Sequence, residues 1–505
     1  MKPTCSSSNF TLLFTFACSI TSVFSQLSLP PLPLDTIVPA SRENETFTLC
    51  LMQTKADVVL PSDILRYNTA RLGKRTRVIN TPIAVAYARS DDQVQKLVKC
   101  AVSAKVVVTP RSGGHSFESF STTTGTLVID ISNMNKLVAA RGNTAIVQAG
   151  IALGDLYLAI HKFNPELTFP AGTCPTVGLG GLVSSGGYGP VARKFGISAV
   201  YIQSATVVNH HGEIIQASEN QHPDLFWALR GGGGGTFGLV LSYTLQLVRT
   251  PLISMFHITW TPLDTVEVLK RWLRWAPKTT EKLTMYLQHL PVFLRIYGHF
   301  LGTMEQLDEV LKESGLLDIG VPVLYTKSCS ALGAKMFFNF DDSCQDHASF
   351  STLVYKDITE NEKSYARSLF FTQELPDHIL AQFNQQLTIA PSITYVNIEA
   401  FGGIFATQST SMTPYPHRQG ILFQIEFGIY ITGAPLVDEI AHTWSKNMFN
   451  LLWPYSNGGS YQGYVSLELQ NPLQSYFGNN VKRLIDIKRK YDPMNVFQNP
   501  QSIQP

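Results

Sequence analysis

Between Thr81 and about Val248 the chain alternates two patterns: short runs of apolar, often β-branched residues, and longer stretches in which apolar positions recur every three or four residues. The first pattern predicts strands at Ile83–Tyr87, Val106–Thr109, Thr126–Ile129, Ala145–Gln148 and Ser204–Val208. The second predicts helices at Asp91–Ser103 and Leu153–Lys162, because that spacing lines one helix face. A helical stretch, Pro223–Leu229, runs into the five glycines Gly231 to Gly235 and then a strand-like segment from Gly238 to Leu247. From about Thr250 to Ser445 the strands become longer (Ile253–Thr261, Thr394–Phe401, Ile421–Ile431) and alternate with amphipathic helices at Thr265–Trp275 and Met304–Ser314. The tail carries one basic amphipathic helix, Asn479–Tyr491, which Asp492-Pro493 stops. The expected fold class is therefore α+β, with a first domain over 26–250, a second over 251–445 and a C-terminal module over 446–505.

Composition narrows what such a chain does. Its 505 residues, 44% hydrophobic and 15% charged, supply enough apolar side chains for two cores and exclude disorder as the main state. The 39 basic and 37 acidic residues leave a net charge of +2 with no block of like charge, which argues against nucleic acid and membrane surfaces as partners. Lys2 and the mostly apolar run from Phe10 to Phe24 predict a signal peptide over 1–25, followed by an extended, proline-rich leader from Leu27 to Leu34. The expected destination is the secretory route, where disulfides persist. Of the seven cysteines, Cys5 and Cys18 would leave with the signal, and the remaining five are an odd number. Cys174 lies in a glycine-rich loop and is expected to stay unpaired, while Cys50 with Cys100 and Cys329 with Cys344 are expected to pair. A bridge across the loop of about 50 residues between Cys50 and Cys100 is worth about 4 kcal/mol in the chain-entropy account. Asn44-Glu45-Thr46 is a glycosylation sequon, consistent with secretion.

Two segments carry candidate chemistry. Thr109-Pro110-Arg111-Ser112-Gly113-Gly114-His115-Ser116 follows a strand, and its paired glycines permit close backbone approach to a ligand as well as an ordinary turn. In the second segment seven glycines fall among the 18 residues from Gly172 to Gly189, around Cys174. Such density costs conformational entropy and is tolerated where backbone must lie against a diphosphate or a flat ring. Neither this loop nor the five-glycine run has the Gly-x-Gly-x-x-Gly spacing and distant acidic residue of a Rossmann dinucleotide site.

Taken in order, Arg111-Ser112-Gly113-Gly114-His115, Pro170-Ala171-Gly172-Thr173-Cys174-Pro175-Thr176-Val177-Gly178, Asp224-Leu225-Phe226-Trp227-Ala228-Leu229-Arg230, Tyr415-Pro416-His417-Arg418 and the segment from Phe477 to Asn499 resemble the berberine bridge enzyme-like flavoproteins. The resemblance implies a PCMH-type FAD-binding domain of two subdomains, a substrate domain whose antiparallel sheet covers the flavin, and a tail that completes the FAD domain. It implies FAD bonded twice, through His115 to the 8α-methyl and Cys174 to C6, and no metal. Flavin contacts are expected from Arg111, Ser112, Gly113, Gly114, Ser116, Val177, Gly178, Gly180, Gly181, Gly187, Tyr188, Gly238 and Val240. Valine at position 177 goes with the family's oxidases.

The segment Leu422 to Ile429 alternates, placing Gln424, Glu426 and Gly428 on one face. By resemblance that face looks at the flavin, with Glu426 as the base and Gln424 and Tyr188 beside it. One departure stands out. The family's Tyr-x-Asn-Tyr, whose second tyrosine acts as a base, is compared here with Tyr464-Val465-Ser466-Leu467, and Leu467 cannot take a proton. The proton is then expected to pass to Glu426, relayed by Tyr188, or Tyr464 must move into place. The expected function is a secreted, monomeric FAD-dependent oxidase that takes a hydride from a small-molecule C–H and reduces O2 to H2O2. An amine or alkaloid, a phenol, an allylic alcohol and a sugar all remain open as substrates, as do an oxidative cyclase and a low-turnover flavin-binding protein.

Overall fold

The computed structural model describes residues 42–250, 252–290, 293–337, 344 and 363–505. The expected signal peptide, the proline-rich leader and the side chain of Asn44 lie outside the described residues. Strands Asp57–Val59, Ala84–Tyr87, Leu127–Asp130 and Val108–Arg111 form the first sheet in that spatial order, with only the Asp57–Val59 pairing antiparallel. Leu127, Val128 and Ile129 are fully buried in succession, as a parallel strand covered on both faces requires. The strand expected to end at Thr109 continues through Pro110 to Arg111. Proline is tolerated there because the strand is the outer one of the four, and the tail rather than a fifth strand reaches it, with the Val108 N–H donating to the Val496 carbonyl at 2.8 Å.

The second sheet is antiparallel, in the order Leu137–Arg141, Thr144–Gln148, Leu239–Gln246, Ile202–Val208 and Ile214–Ser218. Both sheets share one core with helices Asp91–Ser103, Leu153–Phe163 and Pro223–Leu229, and Leu484, Ile487, Tyr491 and Phe497 of the tail belong to the same core. Lys488 pins the tail in place. Its buried ammonium reaches Asp492 at 2.6 Å and the carbonyls of Thr236 and Phe497 at 2.7 Å each. Asp224 accepts from Lys490 and Tyr491, tying the same helix to the first domain.

A seven-stranded antiparallel sheet makes the second core, in the order Val323–Cys329, Ile253–Trp260, Phe293–Phe300, Leu283–Leu290, Thr394–Ala400, Phe423–Tyr430 and Ser364–Phe371. Leu283–Leu290 and Ser364–Phe371 lack a clean alternation in the sequence because both faces of the sheet are covered there, whereas the edge strand Val323–Cys329 is exposed or half-buried over most of its length. Phe423, Ile425, Phe427, Val396 and Ile398 point towards helices Thr265–Trp275, Asp377–Thr388 and Pro435–Leu452 and fill the core with Trp272, Phe383 and Met448. The opposite face carries Tyr395, Asn397, Glu399, Gln424 and Glu426, and it is turned towards the first domain. Cys50 is bonded to Cys100 and Cys329 to Cys344, as expected, and Cys174 is the free cysteine among the described residues.

Candidate functional site

His115 and Cys174 are brought together by a loop packed on a loop. The turn after strand Val108–Arg111 lies so close to the glycine-rich segment that a Cβ on Gly113 would sit 2.2 Å from the Gly178 nitrogen, and one on Gly178 would sit 2.3 Å from the Gly113 nitrogen. Gly114 holds φ +71°, a left-handed conformation that favours glycine. The Thr176 hydroxyl then stands 2.9 Å from His115 Nε2 and 3.5 Å from Cys174 Sγ. The loop is fixed from behind by helix Leu153–Phe163, whose first N–H groups, Leu153 and Gly154, donate to the carbonyls of Val177 and Pro175. Gly180 donates to the Ala149 carbonyl, and Gly187 takes φ +70° against Ser198 and Leu182, whereas a Cβ on Gly181 would meet nothing.

The electrostatics of the pair suit covalent chemistry. Burial, followed by the charges of Arg75 and Lys74, pushes the His115 imidazole down to about 3, so the ring is neutral and nucleophilic at any ordinary pH. Thr176 engages Nε2 and leaves Nδ1 for a bond. A neutral imidazole and an unpaired thiol flanking one hydroxyl, in a glycine cradle without side chains, form a donor set that fits the edge of a flavin ring.

Several residues expected at the flavin also make contacts within the protein. The Arg111 guanidinium is buried against Asp130, with further bonds to the Ala70 carbonyl at 2.7 Å and the Tyr87 hydroxyl at 3.3 Å. Its side chain is therefore an anchor for the turn and not a free cation for a diphosphate. Ser112 donates to the Ala149 carbonyl, and the Ser116 hydroxyl accepts from the Phe120 N–H. Gly238 immediately precedes strand Leu239–Gln246 of the antiparallel sheet, and Val240 lies within it. Gly238 is required by its φ of +139° and by Val207 and Val208, which a Cβ would meet at 2.7 and 2.8 Å, and Val240 pairs with Val207. Val177 is half-buried beside Gly178 and packs on the first core.

Facing the loop is the polar side of the seven-stranded sheet. Glu426 is 5% exposed and accepts from the Tyr395 hydroxyl at 2.9 Å and the Asn397 amide at 3.2 Å. Gly428 makes this possible, since the Tyr395 ring occupies the space of its missing side chain, with ring atoms 2.3 to 2.5 Å from where a Cβ would stand. Tyr188, on the glycine-rich loop, donates to Gln424 Oε1 at 3.0 Å and lies 3.4 Å from the Tyr464 hydroxyl. Tyr464 also favours the charged form of Glu426. Burial raises Glu426, against the lowering effects of Asn397, Tyr395, Arg75 and Tyr464, and it holds the phenols of Tyr188, Tyr395 and Tyr464 well above their ordinary range. The site thus contains a carboxylate surrounded by phenols that keep their protons.

The expectation about Leu467 is corrected by its position. Leu467 is 52% exposed, whereas Tyr464, three residues earlier, is half-buried in the site with its hydroxyl 3.4 Å from that of Tyr188. The segment comparable with Tyr-x-Asn-Tyr is Tyr461-Gln462-Gly463-Tyr464. Glycine replaces asparagine because the Tyr461 ring would lie 2.2 Å from a Cβ at 463. The sequence reading also missed Tyr395, Asn397 and Glu399. Their alternation within the expected strand Thr394–Phe401 was visible, but their alignment with Gln424 and Glu426 exists only in the strand register. Glu399 is 8% exposed, and burial pushes its carboxyl up to about 8, with Tyr188 lowering it and Glu426 raising it.

Residues 82–218 match the model of an FAD binding domain, and residues 460–504 that of the berberine and berberine-like proteins. The FAD-linked oxidoreductase pynB of Aspergillus niger is 33% identical, covering 92% of this chain and 94% of its own. Berberine bridge enzyme-like 7 of Arabidopsis thaliana is 29% identical over 84% of each chain. Among solved structures, Physcomitrella patens BBE-like 1 superposes with a TM-score of 0.85 at 26% identity, and a chitooligosaccharide oxidase with 0.82 at 26%; each match covers 91% of this chain and 99% of the other. With these matches over nearly its whole described length, the chain belongs to the berberine bridge enzyme-like family of FAD-linked oxidoreductases.

Proposed function

We propose that this oxidoreductase is a secreted oxidase that holds FAD by two covalent bonds, from His115 and Cys174, and oxidises a small-molecule substrate with dioxygen as electron acceptor. The observation that carries the reading is the pairing of a neutral imidazole with a free thiol on either side of the Thr176 hydroxyl. His115 and Cys174 would hold the FAD, which would supply an acceptor for a hydride from a substrate C–H and a donor of electrons to dioxygen. The chain's own residues manage the proton. Glu426, held by Tyr395 and Asn397, takes the proton from the substrate hydroxyl or amine as its carbon loses the hydride, so C–XH becomes C=X. Tyr188 and Tyr464, held protonated by burial, act as donors that orient the substrate atom and connect Glu426 to Gln424. Hydride and proton together account for the two hydrogens of H2O2. Secretion is supported by the two disulfides, and no helix among the described residues is long and apolar enough to cross a membrane.

The attachment is tested by acid precipitation. The purified protein is expected to stay yellow with no free FAD released, and Cys174→Ala to leave a singly attached flavin. Complete loss of flavin from that variant would remove His115 from its role. Sugar oxidation is the second reading, favoured by the structural likeness to the chitooligosaccharide oxidase and to Phl p 4, described as a grass pollen allergen with glucose dehydrogenase activity. Anaerobic bleaching by a panel of sugars, allylic alcohols, phenols and benzylisoquinoline-type amines separates these readings. A protein that no substrate bleaches would be a flavin-binding protein of little turnover.

A further inference from the structure

Glu399 is a buried titratable group of the site to which the hydride-transfer reading gives no task. It lies directly opposite Gln424 in the antiparallel register, and its Oε2 has no hydrogen-bond partner among the described residues. Gln424 is 1% exposed; its Oε1 is taken by Tyr188, while its Nε2 likewise has no partner among the described residues. Most buried polar atoms are paired, and leaving one unpaired costs about 1–3 kcal/mol. Two of them, side by side on the face that looks at the catalytic carboxylate, indicate a place where a ligand atom completes the bonding.

We propose that Glu399 and Gln424 form a carboxyl–amide clamp that grips an oxygen atom of a neutral hydroxyl- or carbonyl-bearing substrate, making Glu399 a specificity-determining residue that selects such substrates over cationic amines. The clamp deepens the proposed function by naming the substrate chemistry, and it rests on that reading of the sheet as the substrate site. Below its raised midpoint Glu399 carries its proton, so its O–H and the Gln424 N–H are both donors, and they converge on an acceptor. An ammonium group would meet donors there. Glu426, on the neighbouring strand, is the carboxyl that faces Glu399. The other titratable groups facing it are phenols: Tyr188 on the glycine-rich loop, Tyr286 and Tyr297 on the adjoining strands, and Tyr415, Tyr461 and Tyr464. Every one of these phenols is raised by burial, so none of them loses a proton between neutral pH and pH 9.

The test uses the flavin-loaded protein and two probes of nearly equal shape, benzyl alcohol and benzylammonium, titrated by calorimetry under anaerobic conditions from pH 6.5 to 9. Benzyl alcohol is expected to bind more tightly than benzylammonium at pH 6.5, and to weaken about tenfold by pH 9 as the Glu399 donor is lost. Glu399→Gln, which keeps an N–H donor, is expected to hold the alcohol within about threefold and to flatten the pH dependence; Glu399→Leu is expected to weaken it about tenfold throughout. Retained flavin absorbance and an unchanged melting curve at pH 6.5 establish that each variant is folded. Tighter binding of benzylammonium than of the alcohol at pH 6.5, equal loss in the Gln and Leu variants, or no saturable binding of the alcohol would each overturn the clamp. The titration reads the sheet alone, whereas loss of flavin in acid would overturn the covalent attachment and leave the clamp result standing.

Discussion

Gly113 and Gly428 are both glycines because something occupies the place of a side chain, yet they hold the two halves of the site in different ways. At Gly113 the intruding atoms are backbone: the nitrogen and Cα of Gly178 and the carbonyl of Thr176. At Gly428 the intruder is the far end of a side chain, the Tyr395 phenol. Backbone packed on backbone cannot yield without unmaking the loop, whereas a ring can swing at some cost to the hydrogen bond it makes. The half that carries His115 and Cys174 is therefore fixed by chain geometry, and the half that carries Glu426 by side-chain bonding on a sheet.

The largest expected effect lies in the second half. Glu426→Gln keeps the shape of the side chain but removes the base, and anaerobic flavin reduction should slow by about 10² to 10⁴-fold with attached flavin and reoxidation unchanged. An unchanged reduction rate would reduce Glu426 to a structural polar residue.

Next comes the attachment loop. Gly113→Ala is expected to cost about 3 kcal/mol or more, because no rotamer relieves a Cβ against a peptide nitrogen. It should be read as loss of folded, acid-stable yellow protein. Recovery of normal yield and attachment would show that the loop yields after all and would break the comparison.

The pH dependence of stability probes the sheet again. The Glu399 carboxyl is raised from 4.5 to about 8 in the fold, so the native state binds a proton more readily than the unfolded chain. Its contribution is fully present below about pH 4.5 and is lost as pH rises through about 8. Stability to denaturant should thus decline across this window by about 5 kcal/mol, and Glu399→Gln should remove most of the decline. A slope identical in parent and variant would assign the change to other groups.

Val177→Leu places one more methylene beside the attachment loop, where few gaps exist. Reoxidation by air is expected to slow on the order of tenfold with substrate reduction intact, as stopped-flow traces of the two half-reactions would show. Gly428→Ala should have the smallest effect, a fall in reduction rate of up to about tenfold with attachment untouched, since only the Tyr395 bond to Glu426 is disturbed. If Gly428→Ala abolished attachment, the two halves would not be independent.

The chain's own pattern made one half of the site legible and obscured the other. Paired glycines ahead of His115, the glycine density around Cys174 and an odd cysteine are features that can be read along the chain without knowing the fold. The disulfide pairings followed from the same arithmetic. Helices Asp91–Ser103 and Thr265–Trp275 were equally clear because each buries one stripe in a core. Leu467 misled because three residues separate it from Tyr464, less than one helical turn, and only the surface position of Leu467 reveals which of the two enters the site.

From its sequence alone, most strands and helices of this protein's first domain, its paired and unpaired cysteines and its family resemblance were determined, because each depends on neighbours along the chain or on counts. Tertiary structure decided that Arg111 is spent on Asp130, that Tyr464 stands beside Tyr188, and that Glu399 faces Gln424 next to Glu426. Those facts depend on strand register and on which face of a sheet is covered. Burial, which raises both glutamates and keeps the phenols protonated, acts through distance in space, and a linear pattern of residues does not contain that distance.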